Sequence, residues 1–401
     1  MEELELSLLA HGSDAAGVLR PWLDRFGVEN RVHVEANVLE WEEAWPELVK
    51  VALYGDGANV SEMGSSWVGS LIAMNVLIPF RPRELNDLGG ASAFLPSVWQ
   101  PALEADSGST WALPWLAYTR LIYYRRDLLA KAGIDERSAF ESHEQIEKTL
   151  GRLSESNVAV PWCVPTRHSR DTLHNIASWV WSAGGEFASA DGKHILFNQP
   201  EARAGMRAYF DLHRHLAPSA RHRDESDSLF KQGQTAVVMS GPWLWPLDPR
   251  RPDVVPEVAE NVGVAVPLKI AFIGFSYLVL WKHTRREELA LKLVRELTNP
   301  TILSAFSTRT GGPLSVRLDA LDGSPLKGET NYQTMVQALK TGRTFLQIPL
   351  WGLVEDKLAL ALDRIWEDIL AESQPDVDAI MSRHLDPLAM RLEQTLSGKN
   401  A

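Results

Sequence analysis

Phe230-Lys-Gln-Gly-Gln-Thr-Ala-Val-Val-Met-Ser-Gly-Pro-Trp243 carries a short apolar segment into a glycine-proline break and ends on an indole. Thr235 to Met239 is β-branched and apolar, as in a strand covered on both faces. Proline has no N–H for a ladder, so Gly241-Pro242 ends that strand. Trp243 then stands just past a strand's carboxyl end, the edge at which open α/β sheets bind ligands. On this reading Trp243 is exposed, and removing it leaves the empty protein's stability nearly unchanged. A Trp buried beneath the turn is the alternative, since Trp is highly buried on average.

The opening third repeats the same logic. Leu4 to Leu9 alternates as a strand, Ser13 or Asp14 can cap a helix to Phe26, and Arg31 to Val38 alternates again. Trp41 to Tyr54 follows as an amphipathic helix stopped by Gly55, and a strand over 59–63 runs into Gly64-Ser65-Ser66-Trp67. Strand-helix alternation of this kind implies parallel βαβ units, with a second Trp delivered at a strand end. Further on, Trp111-Ala-Leu-Pro-Trp115 suits an extended crossing, Arg120 to Tyr124 a strand, and Asp127 to Ala132 a short helix before Gly133. Residues 134–160 read as mainly helical, with Ser142 and Gln145 spaced as a capping box. Trp179 to Phe187 reads as a helix ending in a glycine turn, and Pro200 starts another. Val262 to Pro267 reads as a return crossing, Tyr277 to Trp281 as a strand, and Arg286 to Leu297 as a helix closed by Asn299-Pro300. The last hundred residues read as mostly helical.

A chain of 401 residues exceeds the size at which one core stops growing, roughly 250 to 300, so two lobes are expected. The net charge of −12 disfavours nucleic acid and anionic membrane as partners. The single Cys163, between Trp162 and Val164, forms no internal disulfide and reads as a buried thiol. Its 15 Trp outnumber 12 Phe and 7 Tyr, which points to a use beyond filling the core. A pyranose packs its axial C–H groups on an aromatic face while its hydroxyls seek hydrogen bonds, so a Trp-rich site suits carbohydrate. The first strand begins close to Met1, with no basic or long apolar segment before it, so a leader removed before this numbering is the expectation.

Catalytic and metal motifs are weak. The acids of Glu40-Trp41-Glu42-Glu43 read as first-turn residues favoured by the helix dipole. His213 and His215, two apart, point to different helix faces, and with His168 and His174 they read as solvated rather than metal-ligating. There is no phosphate loop, dinucleotide fingerprint, zinc helix or nucleophile elbow. The expectation is a protein without catalytic residues, metal or cofactor.

The order of these motifs resembles the family 1 extracellular solute-binding proteins of ABC importers, the group that includes maltose-binding protein. The resemblance rests on Trp111-Ala-Leu-Pro-Trp115 with Tyr123-Tyr124-Arg-Arg-Asp-Leu-Leu-Ala-Lys-Ala-Gly133, on Phe230 to Trp243, and on Gly263-Val-Ala-Val-Pro267. It continues through the helix from Arg286, Thr310-Gly-Gly-Pro-Leu314 and Ile348-Pro-Leu-Trp351. It implies an α/β, two-lobed periplasmic-binding-protein-like fold of class II type, with the ligand cleft between the lobes and hinge closure around the ligand. The implied lobes are 1–116 with 269–316 and 117–268 with 317–401, joined near Pro114 to Tyr118, Pro267 to Phe272 and Ser315 to Leu321. The ligand contacts it implies are His11 through Asp14, Trp41, Ser66, Trp67, Trp115, Tyr118, Trp179 and Trp181, Trp243, Gly274, Phe275 and Trp351. Lys269-Ile-Ala-Phe-Ile departs from the glycine- and serine-rich loop usual at that point, which bears on Phe272 and Phe275. The function implied is capture of an oligosaccharide or glycoside by a monomer in the periplasm or outside the cell. Delivery to the permease subunits of an ABC importer would follow. The alternatives are a sensor domain of a cytoplasmic or fused signalling protein, an enzyme acting on glycosides, and a binder of a polyamine or other cation, which cation–π contacts would serve.

Overall fold

Eleven strands, in chain order, set the framework of the computed structural model, which describes residues 2–11, 14–99, 109–167, 170–216, 222–346 and 351–396. They are β1 (Glu2–Leu9), β2 (Val32–Leu39), β3 (Val60–Gly64), β4 (Leu77–Ile78), β5 (Leu113–Thr119), β6 (Leu121–Arg125), β7 (Trp162–Cys163), β8 (Val237–Ser240), β9 (Val262–Ala265), β10 (Ile273–Trp281) and β11 (Leu314–Ser315). The chain divides into two units, Met1–Tyr118 with Gly274–Lys340 and Thr119–Ile273 with Thr341–Ala401.

In the first unit the sheet order is β11-β5-β10-β3-β1-β2, with β4 on β10. β1 runs parallel to β2 along its whole length and parallel to β3, as the βαβ reading expects; β10 is antiparallel to β3. Leu4, Leu6 and Leu8 of β1 have no exposed surface. Between them Ser7 donates to Ser61 at 2.6 Å, and Trp281 Nε1 donates to the same hydroxyl at 2.8 Å, so the buried polar groups are paired. The helix Ala15–Asn30 starts at Asp14, whose carboxylate accepts from the Gly17 N–H at 2.8 Å, and buries Leu19, Leu23 and Phe26. The alternative cap, Ser13, lies outside the described residues. Residues 317–340 stay with this unit rather than joining the second: the helix Leu318–Asp322 packs on the helix Pro300–Thr310, and Tyr332 donates to the Leu321 carbonyl at 3.2 Å. Asn299-Pro300 opens that second helix instead of merely closing the one before it, because Asn299 Oδ1 caps the Thr301 N–H at 2.9 Å.

The second unit is built on a four-stranded sheet, β7-β8-β6-β9. β8 is antiparallel to β6 and parallel to β7, and all four of its residues are buried. β9, expected as a crossing, is a strand paired with β6. The chain leaves this unit only after Ile273, since Ile273 N–H donates to the Arg343 carbonyl at 2.7 Å and Arg343 N–H to Ala271 at 2.8 Å. Of the helix expected over 134–160, only His143–Glu155 forms, capped by Ser142 as its spacing predicts, with Gln145 N–H donating at 3.2 Å.

The helices Arg170–Ser182 and Pro200–Phe210 lie against each other so closely that a Cβ at Gly205 would sit 2.5 Å from the Trp179 carbonyl oxygen. Alanine raises helix propensity by up to about 1 kcal/mol over glycine, but here the backbones must part to admit it. Gly205→Ala should therefore destabilise by about 1–3 kcal/mol, lowering the thermal midpoint by roughly 3–10 °C. Circular dichroism melting checks this; an unchanged or raised midpoint contradicts the contact.

Candidate ligand-binding site

Three strands of the first unit end side by side at Leu9, Leu39 and Gly64, and each is followed within three residues by a ring. His11 follows β1, Trp41 opens the helix Trp41–Tyr54 after β2, and Trp67 closes the single turn Ser65–Trp67 after β3. Trp41 Nε1 donates to the Ala10 carbonyl at 2.8 Å, tying the second loop to the first. His11 stands edge-on to Trp41 at 6.3 Å and 77°, Trp67 lies 5.8 Å from Trp41, and Trp45 lies 5.8 Å from Trp67. His11, Trp41, Trp45 and Ser66 are half-buried and Trp67 is nearly covered. Beneath them Glu62 has no exposed surface; it accepts the Leu9 N–H at 2.8 Å and meets His11 Nε2 at 2.8 and 3.0 Å. Trp45 and Glu62 escaped the sequence reading. The signal for Glu62 was present, a lone carboxylate inside a strand that is otherwise buried and uncharged.

Other residues named for this unit have different work. Asp14 is exposed with its carboxylate engaged as a helix cap, and Gly12 and Ser13 lie outside the described residues. Tyr118 is half-buried with its ring laid on Gly274, where a Cβ would meet it at 2.2 Å; Gly274 makes room for that ring. Trp115 and Phe275 are core residues, which corrects their assignment as contacts. Trp115 is buried, stacks on Phe306 at 5.6 Å and gives its indole N–H to the Leu297 carbonyl at 3.1 Å. Phe275 is buried edge-on to Tyr277 at 5.4 Å.

In the second unit the carboxyl end of β8 delivers Trp243 through the turn Pro242–Leu244. Its ring folds back over Gly241, where a Cβ would lie 2.2 Å from it, and Tyr123 Oη holds the turn by donating to the Gly241 carbonyl at 2.6 Å. Trp243 is half-buried, not free: Nε1 donates to Asp227 Oδ2 at 3.0 Å, and the guanidinium groups of Arg120 and Arg223 lie 4.9 and 5.1 Å from the ring centre. Removing it withdraws a donor from a buried carboxylate, so the expectation of unchanged stability does not survive. Arg120 is itself buried and pairs with Asp171, which Arg223 approaches at 3.8 Å. Burial would raise the Asp171 carboxyl, but the two guanidinium groups outweigh it and hold it below its usual range.

Trp181 and Trp351 are buried in an aromatic cluster of the same unit, Trp181 5.8 Å and Trp351 4.8 Å from Phe345. Phe272 and the Arg343 guanidinium, 6.4 and 4.8 Å away, cover Trp181. Trp179 packs edge-on against Tyr209 at 5.0 Å in the core. His174 stacks on Phe272 at 4.4 Å, and burial lowers its pKa against the pull of Glu355. His215 meets Glu147 at 3.1 Å, and His168 lies outside the described residues. Among the described residues no group of three or more His, Cys, Asp or Glu is arranged to hold a metal ion, and no helix is long and apolar enough to cross a membrane.

Each of the two α/β units presents indole at a strand carboxyl end, the edge at which open α/β sheets take small molecules. The comparisons agree on the fold. An ABC transporter solute-binding protein from Thermotoga lettingae, solved with α-D-tagatose, superposes with a TM-score of 0.82 at 19% identity, covering 99% of this chain and 100% of that one. The sugar-binding protein MalE from Xanthomonas citri gives 0.81 at 18%, covering 99% and 98%. The diacetylchitobiose binding protein DasA of Streptomyces coelicolor is 21% identical over 347 residues, 82% of this chain and 77% of its own. The model of the bacterial extracellular solute-binding proteins matches residues 22–334, and the chain belongs to that family.

Burial pushes the Asp227 carboxyl up to about 6 from 3.8, against the hydrogen bond from Trp243 and the charges of Lys231 and Arg223. A carboxyl raised in the folded state stabilises most when protonated in both states, below about pH 4, and that contribution is lost as pH rises through 6. Asp227→Asn keeps an acceptor for Trp243 without the buried charge. At pH 8 it should be more stable than the unaltered protein by about 2–3 kcal/mol, with the difference shrinking toward zero at pH 4. Thermal melts at both pH values measure it, and a variant destabilised equally at both contradicts the buried charge.

Proposed function

We propose that this protein captures a neutral carbohydrate and presents it to the membrane subunits of an ABC importer. In this reading it works as a monomer outside the cytoplasm and does no chemistry on its ligand. The observation that carries the reading is the convergence of His11, Trp41 and Trp67 at the adjoining ends of β1, β2 and β3, above the buried Glu62. Indole faces take the C–H face of a sugar ring while His11 and Ser66 address its hydroxyls. In the second unit, Trp243 stands at the comparable carboxyl end of a strand. The guanidinium groups of Arg120 and Arg223 already lie against that ring, in the place a cation–π ligand would take, which weighs against a cationic ligand. The family's extracellular description and relatives that bind diacetylchitobiose and tagatose support the same reading.

Tryptophan fluorescence and thermal-shift titrations with N,N′-diacetylchitobiose, D-tagatose, maltose and D-mannitol test it. A ligand present at a hundred times its Kd stabilises the folded protein by about 2.7 kcal/mol, so at least one sugar at millimolar concentration should raise the midpoint by several degrees. The affinity should be nearly independent of salt, as a neutral ligand requires. If no member of the panel moves either signal, the carbohydrate reading fails.

A further inference from the structure

Glu62 stands in the middle of β3, a strand buried from end to end, and is the acid beneath the aromatic edge. The parallel pairing that sets Ser7 beside Ser61 carries Glu62 up to the last residues of β1. There the Leu9 N–H donates to Oε2 at 2.8 Å, which makes that oxygen an acceptor. His11 Nε2 lies 2.8 Å from Oε1 and 3.0 Å from Oε2. A carboxylate offers lone pairs only, so the proton in this contact sits on Nε2. A neutral imidazole carries one ring proton, and Nδ1 is then left with a lone pair.

We propose that Glu62 determines specificity through His11: it holds the ring proton on Nε2, so that Nδ1 accepts a hydrogen bond from a ligand hydroxyl beside Trp41 and Trp67. The ligand half of this inference rests on the carbohydrate reading; the proton placement rests on the 2.8 and 3.0 Å contacts with Glu62 taken as a carboxylate and His11 as a neutral imidazole. Its consequence is a demand for a hydroxyl donor. Methylating that hydroxyl removes the hydrogen and the affinity with it, whereas an indole platform alone would tolerate the added methyl group.

Glu62→Gln is the informative change, because the amide fills the same space with the opposite polarity. Its carbonyl takes the Leu9 N–H in place of Oε2 and its NH₂ faces Nε2 in place of Oε1, which drives the ring proton to Nδ1. Two measurements are made on ¹⁵N-histidine-labelled protein. Long-range ¹H–¹⁵N correlation reads the His11 tautomer, and calorimetry reads the Kd of the tightest sugar of the panel and of its mono-O-methyl ethers. The expected result is Nε2–H in the unaltered protein, Nδ1–H in the variant, a Kd raised about tenfold in the variant, and one methyl ether that the unaltered protein binds poorly. Nδ1–H in the unaltered protein overturns the inference even should the variant fail to fold. So does an unchanged Kd in a folded variant with the inverted tautomer, or equal binding of every methyl ether. A protein that carries Nε2–H and binds none of the sugars overturns the carbohydrate reading, and with it the ligand role of Nδ1, while the proton placement stands.

Discussion

The parallel pairing of β1 with both β2 and β3 is the constraint on which the first unit's site depends. Parallel neighbours run about 4.8 Å apart and finish at the same edge, so whatever follows each strand must share that edge. Here the followers are His11, Trp41 and Trp67. A one-residue slip of β3 against β1 would turn its side chains to the opposite face and withdraw Glu62 from His11. Register therefore sets the Glu62–His11 contact in this unit, and the Ser7–Ser61–Trp281 hydrogen bonds help to hold it.

The second unit reaches a comparable end by different means. Its β8 is enclosed between β7 and β6, and the Gly-Pro break turns the chain at once into Trp243. That indole is held by a hydrogen bond to Asp227 and by neighbouring cations, so its orientation follows from a buried charged network rather than from strand register. Asp171 and Asp227 show how such a network divides. The first is held ionised by two guanidinium groups, and the second is pushed toward its neutral form by burial.

Much of the fold was legible in local signals. The alternation of Leu4 to Leu9, the Asp14 and Ser142 caps, and the break at Gly241-Pro242 act within a few residues of themselves. Less legible was anything decided at long range. Val262 to Ala265 is a strand because β6 is there to pair with it, and 317–340 belongs with the first unit because of helices that touch only after folding. The same limit governed the site. A Trp after a strand end, as at Trp41, Trp67 and Trp243, is announced by the strand; whether a Trp inside β5 faces core or solvent is not. Trp115 proved to be core because a helix carbonyl, Leu297, lies across from it. Glu62 matters through a partner 51 positions away, which no window of sequence displays.

In the function proposed, the ends of β1, β2 and β3 form the first unit's ligand platform, while Trp115 belongs to the core. Indole N–H resonances of ¹⁵N-tryptophan-labelled protein, assigned by single substitutions, measure this most directly during titration with the sugar that binds. The Trp41 and Trp67 resonances should move with ligand concentration, while the resonance of Trp115, whose indole N–H is bonded to the Leu297 carbonyl, stays in place. Movement at Trp115 with Trp41 and Trp67 unaffected would contradict it.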